Sequence, residues 1–158
     1  MAINPNTDFT SGAILTADQM NRLPRGVMAR ATSTTSYTLT TTITQATGMS
    51  VTFTAVANRY YKVTYFEPQG QTPNVLGNTQ TYLRLTNASG TGYGNNVIVN
   101  ETNVIDQAGM IIIKTLTFSA GSVTLVGCAN TSSTSGAPTL VRDSVREALL
   151  LVEDIGPA

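Results

Sequence analysis

The chain has 158 residues, enough for one domain with a sizeable core but too few for two. Charged residues make up only 11% and balance at nine against nine, so the basic footprint that nucleic-acid binding needs is missing and no nucleic-acid partner is expected. With no His and one cysteine, Cys128, the sequence also excludes an internal disulfide framework, a Cys/His metal site and a Ser-His-Asp triad, and no cofactor is expected.

Thr, Ser and Asn supply the polarity that charge does not; together they form about a third of the chain. Thr suits a pleated strand, so this composition favours β structure. No apolar run approaches membrane-spanning length, and no basic, apolar and small-residue leader is present. The expectation is a protein made in the cytoplasm and used without secretion or membrane contact.

Residues 1–28 differ in character from the rest of the chain and read as an N-terminal arm, with residues 29–158 as the main domain. Thr16 and Gln19 have capping-box spacing, Leu15 and Met20 are placed as a hydrophobic staple, and Pro24 stops the helix after Leu23. So short a helix is unstable alone and must dock. Phe9, Ile14, Leu15, Met20 and Leu23 are the candidate attachment residues; they pack either on their own domain or on a neighbouring subunit.

From Tyr37 the sequence reads as short strands. Tyr37, Leu39, Thr41 and Ile43 alternate with threonines, and Met49, Val51 and Phe53 repeat the pattern. The densest strand comes next: Tyr61, Val63 and Tyr65 share one face, while Tyr60, Lys62, Thr64 and Phe66 share the other. Large side chains on both faces predict a central strand with neighbours on each side. In residues 80–86, Tyr82 and Arg84 oppose Leu83 and Leu85. Val97 to Val99 predicts a brief strand, and the apolar run Met110-Ile111-Ile112-Ile113 predicts burial on both faces. Ser119-Ala120-Gly121 reads as a hairpin turn into Val123 to Val126. Leu149, Leu150, Leu151 and Val152 form the last element, read as a strand because it is short and ends at Ile155-Gly156-Pro157. The expectation is an all-β fold, an antiparallel β-sandwich of about eight strands with jelly-roll organisation. An immunoglobulin-like sandwich fits less well, since the chain has no Trp.

No catalytic constellation emerges. Glu153 and Asp154 are adjacent in a strand, point to opposite faces and cannot flank one bond. Gly90 to Gly94 resembles a phosphate loop only superficially, with no helix or Lys after it. Loops at 67–78, 87–96 and 131–138 are weakly charged and rich in Gly, Asn and Ser, suited to adaptable hydrogen bonding. Tyr93, placed at the tip of the second, is the candidate for stacking on a sugar or a receptor side chain; an ordinary loop aromatic is the competing reading. Cys128 lies in an apolar run and reads as a buried, inert thiol.

Several stretches together resemble small virion structural proteins of tailed bacteriophages, usually described as minor tail proteins. They are Asn4-Pro-Asn-Thr-Asp-Phe9-Thr, Leu15-Thr-Ala-Asp-Gln-Met-Asn-Arg-Leu-Pro-Arg-Gly26-Val, Val51-Thr-Phe-Thr-Ala-Val-Ala-Asn-Arg-Tyr60, Leu116-Thr-Phe-Ser-Ala-Gly121 and Leu151-Val-Glu-Asp-Ile-Gly-Pro-Ala158. The β part also resembles trimeric jelly rolls of the tumour-necrosis-factor type and of phage fibre tips. These resemblances imply a non-enzymatic, tail-associated virion protein, a homotrimer whose C-terminal strand (Leu149, Leu150, Leu151 and Val152) lines the subunit interface. Its implied partners are further copies of itself, other virion proteins and a host-surface glycan or protein. A capsid decoration or head-fibre protein anchored by the arm is the alternative the same resemblance leaves open.

Overall fold

The computed structural model describes residues 23–158, together with Ile14 and Met20. Among them the chain forms ten strands: Gly26–Ser33 (β1), Tyr37–Thr38 (β2), Thr44–Ala55 (β3), Arg59–Gln71 (β4), Gly77–Leu85 (β5), Gly92–Asn100 (β6), Gln107–Leu116 (β7), Gly121–Thr131 (β8), Thr139–Leu140 (β9) and Ala148–Pro157 (β10). All pairing is antiparallel and divides into two sheets, so the fold is all-β and fits a sandwich. One sheet runs β1-β10-β4-β7, with the two-residue strands β9 and β2 extending it beside the end of β4. The other runs β3-β8-β5-β6. Of the short helix expected at 16–23 only Met20 and Leu23 lie among the described residues, the Leu23 N–H donating to the Met20 carbonyl at 3.2 Å; Phe9 and Leu15 lie outside them.

The core lies where the inner faces of the two sheets meet, and period-two alternation selects it. Along β4, Tyr61, Val63 and Tyr65 are buried while Tyr60, Lys62, Thr64 and Phe66 are half-buried on the outside. β4 has β10 on one side and β7 on the other, the central position its two-sided bulk predicts. Met49, Val51 and Phe53 of β3, Val123 and Leu125 of β8, and Leu150 and Val152 of β10 complete the core. At one end Phe53, Tyr61, Phe118 and Tyr93 pack in tilted and edge-to-face pairs with centroids 5.2–6.0 Å apart. Gly127 sits where a Cβ would come within 2.6 Å of the Tyr65 ring, so the two sheets close only because that position lacks a side chain.

Four expectations are corrected. Gly26–Ser33 is a strand, so the main domain already includes Gly26, three residues before its expected start at 29, and Met28 packs against the core. Residues 39–43 are a connection instead of a strand: Leu39 is buried, its N–H donating to the Pro138 carbonyl at 2.9 Å. The turn 119–121 makes no hairpin, because β7 belongs to one sheet and β8 to the other. The Met110–Ile113 run is not buried on both faces: Met110 and Ile112 face in, whereas Ile111 and Ile113 stand 49% and 54% exposed. Among the described residues β7 pairs only with β4 and no layer covers the outer face of its sheet, so half of its apolar side chains meet solvent.

Candidate functional site: an apolar sheet face

The exposed isoleucines of β7 belong to a larger surface. Residues paired across an antiparallel sheet share a face, and the register builds two adjacent outer rows, Ile111-Phe66-Leu149-Thr32 and Ile113-Thr64-Leu151-Arg30. A third row, Thr115-Lys62-Glu153-Val27, adds a Lys62–Glu153 pair at 3.3 Å. Phe66, Leu149 and Leu151 are only half-buried. The outer face therefore presents Phe66, Ile111, Ile113, Leu149 and Leu151 side by side, with charge kept to its margin. Scattered exposed apolar residues need no explanation, but a contiguous group on one rigid sheet marks an interaction surface.

This geometry divides the expected C-terminal interface residues. Leu149 and Leu151 lie on the outer face, whereas Leu150 and Val152 are fully buried in the core and have no surface to offer a neighbour. The correction comes from alternation, since consecutive strand residues cannot both face out. A second apolar strip lies round the corner on β6, where Val97 and Val99 are 46% and 54% exposed. β6 and β7 are the free edges of their sheets on the same side of the sandwich, joined where the Asn96 amide donates to the Ile111 carbonyl at 3.0 Å. That bond occupies one of the edge carbonyls through which strands otherwise aggregate.

Tyr93 is not a loop tip. It belongs to β6, beside an irregularity in the β5–β6 register, and its ring is half-buried against Phe118, 6.0 Å away at 84°. The exposed turn is residues 86–91, closed by the Leu85 N–H on the Thr91 carbonyl at 2.9 Å. The glycines that suggest a long loop instead allow β6 to start at Gly92 and to pass close over Lys114 at Gly94. Nor do the three candidate loops cluster. Residues 72–76 and 132–138 meet, with the Asn74 N–H donating to the Ser135 carbonyl at 2.8 Å, but the 86–91 turn lies at the opposite end.

Ile14, Met20 and Leu23 of the expected attachment set are exposed. The Leu23 carbonyl accepts a 2.6 Å bond from Arg59, whose guanidinium also holds Asp154 through contacts of 2.5 and 2.8 Å. Both partners of this ion pair are almost wholly buried. It fixes Leu23 at the same end of the sandwich as Ala158, whose N–H donates to the Asn58 carbonyl at 2.8 Å.

A buried polar network around Glu67, like the Arg59–Asp154 pair, escapes sequence reasoning. Glu67, fully buried, accepts from Tyr65 at 2.6 Å and from Arg142 at 2.5 and 2.8 Å. Arg142 in turn donates to the Thr47 and Thr35 carbonyls, so this one side chain ties the approach to β10 to the chain around β2 and β3. Burial, then the neighbouring Glu67 carboxylate, pushes the Tyr65 phenol well above its usual range. Cys128 is buried and its thiol is pushed up to about 11 by burial, against the pull of Arg84. Native protein at pH 8 is therefore expected to resist a thiol reagent that labels it at once in denaturant; rapid native labelling would refute an inert thiol.

Among the described residues no group of three or more His, Cys, Asp or Glu side chains is placed to hold a metal ion, and no helix is long and apolar enough to cross a membrane. Comparison with protein-family models and with curated proteins found no match.

Proposed function

We propose that this is a non-enzymatic bacteriophage virion protein: a jelly-roll domain that assembles as a homotrimer, is attached through its N-terminal arm and is carried on the tail. The observation that carries the reading is the exposed outer face of β1-β10-β4-β7, where Phe66, Ile111, Ile113, Leu149 and Leu151 form one apolar surface. A low-charge protein displaying such a face gains by burying it against another copy. The strand order, in which the first and last long strands pair beside β4 while β3 and β8 pair in the other sheet, supports the jelly-roll assignment. The phage assignment rests on the sequence resemblance. Attachment through the arm is supported by the exit at Leu23, at one end of the sandwich.

A closed ring of three needs two different patches on each copy, because a heterologous contact joins unlike surfaces. The outer sheet face and the β6 strip with Val97 and Val99 supply such a pair. Cryo-EM of the virion tests the whole reading: threefold density of this size on the tail is expected. Density on capsid capsomers would move the protein to the decoration role, and its absence from the particle would end the proposal.

Deleting residues 1–22 is expected to leave a cooperatively folding domain that no longer enters virions. Deleting residues 1–28 should also lower the melting temperature, since it removes the first part of β1 and the Leu23 contact. Equal melting temperatures for the two truncations would contradict this boundary.

A further inference from the structure

The arm leaves at the end of the sandwich where β4 starts, so the loops at the other end of β4 are its far tip. Three loops meet there: 72–76, 101–106 and 132–138. Their backbones are cross-linked. Asn100, 2% exposed, donates through its amide to the Pro73 carbonyl at 2.6 Å and the Val104 carbonyl at 2.7 Å, and its oxygen accepts from the Thr102 N–H at 2.9 Å. Asn103 accepts the Leu76 N–H at 2.9 Å, Thr72 and Asp106 exchange two bonds of 2.8–2.9 Å, and Asn74 binds Ser135. A buried amide that satisfies two loops at once leaves them little freedom to rearrange. Yet the two side chains this framework holds up, Leu76 and Val104, are each 63% exposed. The same three loops carry Glu101 and Asp106 and no Lys or Arg.

The geometry points to a protein-binding tip: Leu76 and Val104 are apolar anchors on a preorganised base, and their occupant is a protein surface with an apolar depression rimmed by Lys or Arg. Rigid loops spend little ordering entropy on binding, which makes two small anchors effective. Complementarity to Glu101 and Asp106 selects a basic rim and rejects anionic wall polymers. The tip loops present no ring for a sugar to stack on, since Tyr93 lies near the opposite end against Phe118.

This inference rests on the virion reading and names the chemistry of its host contact. The test uses labelled full-length protein on intact host cells, on protease-shaved cells, and on intact cells with purified wall polysaccharide as competitor. Binding is expected to intact cells, to fall at least about tenfold on shaving and to survive the polysaccharide. Leu76→Asp and Val104→Asp should each weaken it about tenfold at unchanged melting temperature, whereas Leu76→Met should retain it. Binding that ignores both Asp variants, that persists on shaved cells and is competed by polysaccharide, or that is absent at micromolar protein overturns the proposal. Virion incorporation is scored separately: protein that enters virions but fails these assays refutes the tip alone, and protein that never enters virions refutes the reading beneath it.

Discussion

Glu67→Ala is expected to destabilise the fold by about 3–5 kcal/mol, because it strands a buried guanidinium. Arg142 makes two bonds to this carboxylate, and its side chain is fully buried. Without Glu67 it keeps only the backbone carbonyls of Thr35 and Thr47 to offset the loss of water. The Tyr65 hydroxyl loses its acceptor as well. Removing both charges in Glu67→Leu/Arg142→Met should cost much less than the single change, since no unpaired ion remains. Urea melts of the two variants decide the matter, and a Glu67→Ala loss under about 1 kcal/mol would show that water reaches the site. The same network sets an alkaline limit. The Tyr65 phenol is raised in the folded state, so its contribution is fully present below the ordinary tyrosine value of 10.0 and declines as pH rises above it, where the unfolded chain ionises first. Tyr65→Phe should flatten that decline.

The second large effect is expected from Leu151→Asp. In one copy this side chain is half-buried on the outer face, between Arg30 and Thr64, so the monomer tolerates a carboxylate there. In the assembled protein each interface would bury this carboxylate together with the neighbouring Arg30, and taking the charges out of water costs more than a few apolar contacts return. The variant should therefore melt as a folded monomer. Val99→Asp on the β6 strip should do the same. Mixing the two separates ring closure from a twofold contact. Each retains the patch the other lacks, so one good face-to-strip contact forms and the mixture should yield dimers that cannot close. A symmetric face-to-face association would leave the mixture without that dimer.

Local pattern foretold the strands whose side chains alternate strongly. Tyr61 to Phe66 declared both its two faces and its central position, and the Leu149–Val152 run declared a strand. β1 was hidden because Gly26 to Ser33 mixes small, polar and apolar residues without a period of two, and its partner β10 lies more than a hundred residues away. The Met110–Ile113 run shows where the pattern misleads. Continuous apolarity reads as burial within one chain, and here half of it supplies an outer surface. Tyr93 reads as a loop residue for a related reason, since glycines that suggest a loop serve a strand passing close to its neighbours. Glu67 with Arg142 and Arg59 with Asp154 join positions far apart in sequence, and no spacing rule reveals such pairs. The division of the C-terminal leucines was available from alternation alone once the element was read as a strand.

Sedimentation equilibrium of the 158-residue chain from low to high micromolar concentration reads the burial of the outer sheet face as a mass. Burial of the outer face of β1-β10-β4-β7 between copies predicts the mass of three 16.7 kDa chains across that range. A single 16.7 kDa species at high micromolar concentration would mean that the Phe66, Ile111, Ile113, Leu149 and Leu151 face stays open in solution, and would contradict the account.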